Sequence, residues 1–165
     1  MEKQAASKWC WAAVAVSVNH FFAPKSHWRQ CGLVTAVFRE RQGEGAPKVP
    51  LHGCCTKPVP RCCNKVWPLE DALIKVGLKV CRTPGALKFK EIHRRIRAGR
   101  PVCVRIRWRN KGAHAVVISD CYTDRDRVQR VTVQDPLTGL ASDVSYFALV
   151  HNFRGKGFWS HTYTV

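Results

Sequence analysis

Acidic residues are scarce in this chain of 165 residues: 11 Asp and Glu stand against 28 Lys and Arg, for a net charge of +17. A polypeptide so short of carboxylates is drawn to something acidic, whether nucleic acid, an anionic envelope or an acidic protein. Long hydrophobic runs are missing too. The longest breaks at Ser17, Asn19 and His20, too short to span a bilayer, so no membrane span is expected. Zinc-finger, RNA-binding aromatic and basic-zipper patterns are absent. The basic residues are spread through Lys88–Arg100, Arg105–Lys111 and Arg125–Arg130 instead of forming one arm. Nucleic acid is therefore not expected as the main partner. There is no internal repeat. The start is short and polar, without a cleavable signal peptide, which suits a cytosolic protein, an excised domain, or export without a cleaved leader.

What is present argues for one folded domain, residues 1–165. Apolar residues make up 45% of the chain and include six Trp and seven Phe, enough for a sizeable core. Nine cysteines are an odd number and a high density. If one is a free nucleophile, an even set of eight remains. The doublets Cys54-Cys55 and Cys62-Cys63 flank a Pro-rich loop, and Cys31 lies upstream. Disulfides among these five would staple a long loop and imply an oxidising compartment. Zinc, with His52 as an extra ligand, is the competitor, but the doublets lack C-x₂-C spacing. Connectivity stays open.

Periodicity divides the chain into a mainly helical half, residues 1–100, and a mainly β half, residues 101–165, an α+β pattern. A first helix is expected from Cys10 to Phe22, stopped by Pro24. A second spans Gln30–Arg41, with Leu33, Val34, Val37 and Phe38 at helical spacing. The punctuated stretch from Gly43 to Asn64 carries two Gly-containing turns, four prolines and both cysteine doublets. It is too long for an ordinary connection unless functional or cross-linked. Pro68 is expected at the first position of a short helix closed by Gly77, and Leu78–Arg82 reads as a short strand. Lys88 to Ala98 reads as a helix with Phe89, Ile92 and Ile96 on one face. Val102, Val104, Ile106 and Trp108 alternate with polar positions as in a half-buried strand. Ala115–Tyr122, Val128–Asp135 and Gly157–Val165 read as further strands.

The chemistry converges on Cys10. It opens an apolar helix, where free N–H groups and the helix dipole favour a thiolate, the reactive form of cysteine. If the strands on either side of Thr123–Arg127 pair about residues 124–125, position 114 or 115 faces Asp135. His114 and Asp135 then meet at one sheet edge. Cys10 would be the nucleophile, His114 the general base and later acid, and Asp135 the group that fixes the imidazole. Gln4, six residues before Cys10, would supply a side-chain N–H to an oxyanion beside the backbone N–H of Cys10. The same kind of register argument, centred on position 112, sets Cys103 opposite Cys121.

These pieces resemble one family. Gln4, Cys10-Trp11-Ala12-Ala13 opening a helix, Gly112-Ala113-His114-Ala115-Val116-Val117-Ile118, Val133-Gln134-Asp135-Pro136, and Gly157-Phe158-Trp159 followed by Thr162-Tyr163 are similar to motifs of papain-like cysteine peptidases. The likeness is to their compact bacterial effector and toxin branch, related to the avirulence cysteine proteases of plant pathogens. It implies a helical half carrying the cysteine, a β half carrying histidine and aspartate, and a cleft between them. It also implies peptide-bond hydrolysis through a thioester, with no metal or organic cofactor. Asp135 stands where plant and lysosomal papains usually carry asparagine, and the cysteine doublets lie outside the catalytic pattern.

The expected function is a cysteine endopeptidase, secreted or delivered into a target cell as a toxin or effector. Its partners would be a protein substrate, an acidic one suiting the charge, and an immunity or inhibitor protein. Deamidation, transglutamination or peptidoglycan amide cleavage by the same three residues is the alternative. A cationic nucleic-acid- or envelope-binding protein is the non-enzymatic one.

Overall fold

A six-stranded antiparallel sheet with helices on both faces organises the molecule. The computed structural model describes residues 1–41 and 48–165. The elements are α1 (Cys10–Phe22), α2 (Gln30–Glu40), α3 (Leu69–Lys75), β1 (Cys81–Pro84), α4 (Phe89–Arg97), β2 (Val102–Trp108), β3 (Ala113–Thr123), β4 (Gln129–Asp135), β5 (Leu140–Ser145), α5 (Tyr146–His151) and β6 (Gly157–Thr164). The strand order is β1-β6-β2-β3-β4-β5, so the C-terminal strand is inserted between β1 and β2. This is an α+β fold. Among the described residues no helix is long and apolar enough to cross a membrane.

The central strands are apolar on both sides because both sides are covered. On one face Cys103, Ala115, Val117 and Tyr163 join a core with Val14 and Val16 of α1, Leu33 and Phe38 of α2, and Leu73 of α3. On the other, Val104, Ile106, Val116, Ile118 and Val133 pack with Ile92 of α4 and Leu149 of α5. The helix α1 lacks a polar stripe and is buried for most of its length, as expected of a helix that is apolar all round. Its buried Asn19 donates from Nδ2 to the Val76 carbonyl at 2.8 Å, while its Oδ1 has no hydrogen-bond partner among the described residues. The glycines after α3 and α4 end those helices alike. Gly77 and Gly99 have φ of +90° and +68°. The next residues, Leu78 and Arg100, donate back to Leu73 and Arg95, the six-to-one bond of a left-handed helix stop.

Several expectations need correction. Pro68 caps α3 in an extended conformation instead of occupying its first turn. The strand expected at Leu78–Arg82 lies at Cys81–Pro84, because β6 ends at Thr164, opposite Cys81, and leaves residues 78–80 no strand to pair with. The helices do not form one layer: α4 packs on the face opposite α1, and β1 of the first hundred residues joins the sheet. β5 and α5 lacked a sequence signal. β5 is a largely exposed edge without alternation, and α5 has only six residues, started by the Ser145 hydroxyl accepting from Ala148 N–H. Of the stretch expected to carry two Gly-containing turns, Gly43 and Gly45 lie outside the described residues, and Gly53 lies in a turn with φ of +75°.

The β2–β3 pairing centres on position 110, with Cys103 opposite Val117. Cys103 and Cys121 therefore do not face each other, and they belong to cores on opposite faces of the sheet. Burial pushes the Cys103 thiol up to about 12.

Two disulfides staple the loop after α2: Cys31–Cys55 and Cys54–Cys63. They point to an oxidising, extracellular environment. Cys62, expected among the bridged residues, is free and half-buried. Its neighbour Cys63 takes the partner, and Cys10, Cys81, Cys103 and Cys121 are also unbridged. With four of the five cysteines bridged, only Cys62 among them keeps a thiol for the zinc alternative at His52.

Candidate active site

Cys10 is the first residue of α1 and is half-buried. Its backbone N–H has no acceptor among the described residues, as expected of a group in the first turn of a helix. The approach to it is tied down at several points. Trp9 N–H donates to the Ala6 carbonyl, and Gln4 N–H to the Pro136 carbonyl at 2.8 Å. The disulfide-bonded loop holds the other side. Lys8 N–H donates to Asn64 Oδ1 at 2.9 Å, Trp9 Nε1 to the Cys63 carbonyl at 2.8 Å, and Trp11 Nε1 to the Lys65 carbonyl at 3.1 Å. Two tryptophans flanking one cysteine thus anchor it through their indole N–H groups, which need partners when buried.

Gln4 behaves differently from expectation. Its Nε2 donates to the carbonyls of Ala6 and Ser7, both at 2.9 Å. Both amide protons are committed to its own loop, and its buried Oε1 has no partner. The side chain braces the bend before Cys10 and presents no free donor to an oxyanion. The free donor nearby is the backbone N–H of Cys10.

His114 is 7% exposed near the start of β3, and Asp135 is 1% exposed at the end of β4. His114 Nε2 and Asp135 Oδ1 are 2.7 Å apart. The expected register slips: Val117 pairs with Gln134 and Ile118 with Val133, and a bulge follows before Asp120. Asp135 continues this ladder toward position 116, two residues from His114 on the same face. The two meet as diagonal neighbours, within side-chain reach, and not as direct partners.

The carboxylate of Asp135 is held on three sides. Oδ1 also accepts from Leu137 N–H at 2.8 Å, closing the turn at Pro136. Arg154 Nη2 lies 2.6 Å from Oδ2 but outside hydrogen-bond geometry, so it acts as an ion pair and Oδ2 has no directed donor. Burial alone would raise the Asp135 pKa. The His114 bond and charge, Leu137 N–H and Arg154 outweigh it, and the net shift is downward. For His114, burial disfavours the cation. Its bond to Asp135 and its interaction with the Cys10 thiol outweigh burial and lift it to about 9. His114 thus has Nε2 on the Asp135 carboxylate and makes no hydrogen bond through Nδ1 among the described residues, and the Cys10 thiol is near enough to contribute to its raised pKa.

Sequence reasoning missed three supporting residues. The Trp108 ring stacks on His114, with centroids 6.0 Å apart and planes 17° from parallel. Trp108 lies there because Gly157 is its strand partner. A Cβ on Gly157 would come within 2.6 Å of the Trp108 ring and of Ile106. The alternation along β2 already put Trp108 on the face of Ile106, which pairs with His114, and that was the available signal. Arg154 had none.

A cavity of about 220 Å³ between the ends of α1 and α4 is lined by Phe21, Ile96 and Val117 among others. None of Cys10, His114 and Asp135 borders it. Among the described residues no group of three or more His, Cys, Asp and Glu side chains is placed to hold a metal ion. No protein-family model matches the chain, and no curated protein matches its sequence.

Proposed function

We propose that this protein is a papain-like cysteine peptidase that hydrolyses peptide bonds in proteins of a target cell. The observation that carries this reading is the 2.7 Å contact between His114 Nε2 and the buried Asp135 carboxylate, with Cys10 near enough to help raise the pKa of the imidazole. A cysteine at a helix N-terminus, paired to a histidine that a buried carboxylate orients, is the arrangement nucleophilic catalysis requires. The oxidising environment indicated by the disulfides fits a secreted or delivered toxin or effector.

The chemistry runs in two halves. His114 takes the Cys10 proton, and the thiolate attacks the scissile carbonyl carbon. The oxyanion of the tetrahedral intermediate is met by the backbone N–H of Cys10. The intermediate collapses as the imidazolium protonates the departing amine, leaving a thioester on Cys10. His114 then takes a proton from water, whose oxygen attacks the thioester. Collapse releases the carboxylic acid product and restores the Cys10 thiol with its proton. Asp135 stays ionised and holds the imidazolium. No aligned hydrogen bond joins Cys10 to His114 in the resting arrangement, and such bonds commonly tighten only around substrate.

Profiling of new protein N-termini in exposed cells, wild type against Cys10→Ala, tests the proposal. Termini that depend on Cys10 are expected. Their absence sinks the peptidase reading, and glutamine-to-glutamate conversion in the same samples would move the assignment to deamidation.

A further inference from the structure

Beside the candidate site, the α1 face of the sheet carries a strip of cations that the reaction does not use. Arg105 pairs with Ala115 and Arg107 with Ala113, the residues on either side of His114, and the side chains of both pairs turn to the α1 face where Cys10 packs, opposite to the face of His114. Along β2 they continue the row begun by Cys103, which belongs to the core under α1, as does Ala115. On its other side Arg105 pairs with His161 of β6, and Arg107 with Phe158. Arg82 of β1 extends the strip, with Nη2 3.0 Å from His161 Nε2.

The strip is almost without counter-charge. Arg82 lies 3.8 Å from Glu70. Arg105 donates to the neutral Ser160 hydroxyl at 3.3 Å. Arg107 is exposed and makes no side-chain hydrogen bond or ion pair among the described residues. Burial holds His161 below its ordinary value, and Arg82, Arg105 and Arg107 push it the same way. Three arginines around His161 concentrate positive potential on the sheet face against which Cys10 packs.

Resting on the peptidase reading, we infer that Arg82, Arg105, Arg107 and His161 form a substrate subsite that selects peptide segments with acidic side chains next to the scissile bond. Guanidinium groups suit carboxylates through paired donors, and Phe158 supplies an apolar wall beside Arg107. Nucleic acid is the weaker match. The other large basic group, on α4, lies on the opposite face of the sheet, and its Arg94 and Arg95 are engaged by Glu91.

The test uses a mixed peptide library and mass-spectrometric reading of cleaved products, with wild type, Cys10→Ala and the double variant Arg105→Glu/Arg107→Glu. Wild type is expected to favour Asp or Glu on one side of the cleaved bond about five- to tenfold over neutral residues. The preference should weaken in high salt, and the double variant should lose it. Cys10-dependent cleavage with no acidic preference overturns the subsite and leaves the peptidase reading intact. No Cys10-dependent cleavage overturns both. A second measurement does not need turnover: adding a Glu-rich peptide to the Cys10→Ala protein should move the His161 titration upward by NMR. An unmoved His161, or single-stranded RNA that binds the strip and is not displaced by the Glu-rich peptide, overturns the proposal.

Discussion

Trp9 donates its indole N–H to the carbonyl of Cys63 at 2.8 Å, and Cys63 is disulfide-bonded to Cys54. The residue before the candidate nucleophile is thus anchored to a cross-linked loop 54 positions away. The disulfides therefore support the geometry of the site as well as the stability of the fold.

Removing that anchor should be costly. Bridges that span 9 and 24 positions are each worth about 3 kcal/mol in the chain-entropy account. Cys54→Ser/Cys63→Ser is expected to lower stability by that order in urea titration. It should also slow Cys10 alkylation, because Lys8, Trp9 and Trp11 lose a fixed partner. Cys62→Ser should change neither.

The charge state of His114 sets a pH window. Its pKa is raised from 6.5 to about 9 in the folded protein. The proton therefore adds stability in full below pH 6.5, and that stability is lost as pH rises through about 9. Asp135 is shifted down from 3.8, so its contribution is present above that value and lost as pH falls through the lower folded one. In Asp135→Asn the alkaline limb of turnover, where His114 loses the proton that the leaving amine needs, should move from near pH 9 toward the ordinary histidine range. Turnover should fall at least about 100-fold.

Gly157→Ala tests how His114 is shielded. The added methyl would meet the Trp108 ring and Ile106 Cγ2 at 2.6 Å, and such overpacking costs about 1–3 kcal/mol. Lower thermal stability, altered Trp fluorescence and reduced turnover are expected together. Unchanged stability would contradict the packing described.

Gln4→Glu separates bracing from catalysis. The substitution keeps the shape but replaces the donor to the Ala6 and Ser7 carbonyls with a carboxylate oxygen. Loss of about 1–3 kcal/mol is expected from the unsatisfied carbonyls, seen as a lower melting temperature. A variant of full stability that has lost turnover would return Gln4 to the oxyanion role.

Much of the secondary structure was legible because it follows from local pattern. The apolar run after Cys10, the spacing of Leu33, Val34, Val37 and Phe38, and the alternation from Val102 to Trp108 each mark an element by its own period. The meeting of His114 with Asp135 was also legible. It tolerated a slipped register because both side chains stay on one face and reach diagonally. Cysteine pairing was not, since adjacent doublets offer equivalent partners and only packing separates Cys62 from Cys63.

By itself, then, the sequence determined the α+β character, the elements with strong periodicity, and the set of Cys10, His114 and Asp135 as chemically notable residues. The tertiary structure alone decided the insertion of β6 beside β2, the loss of Gln4 as a free donor, the stacking of Trp108 and the approach of Arg154. These depend on contacts between residues distant in the chain. Their energies come from packing and hydrogen-bond satisfaction in three dimensions, which leave no local period to read.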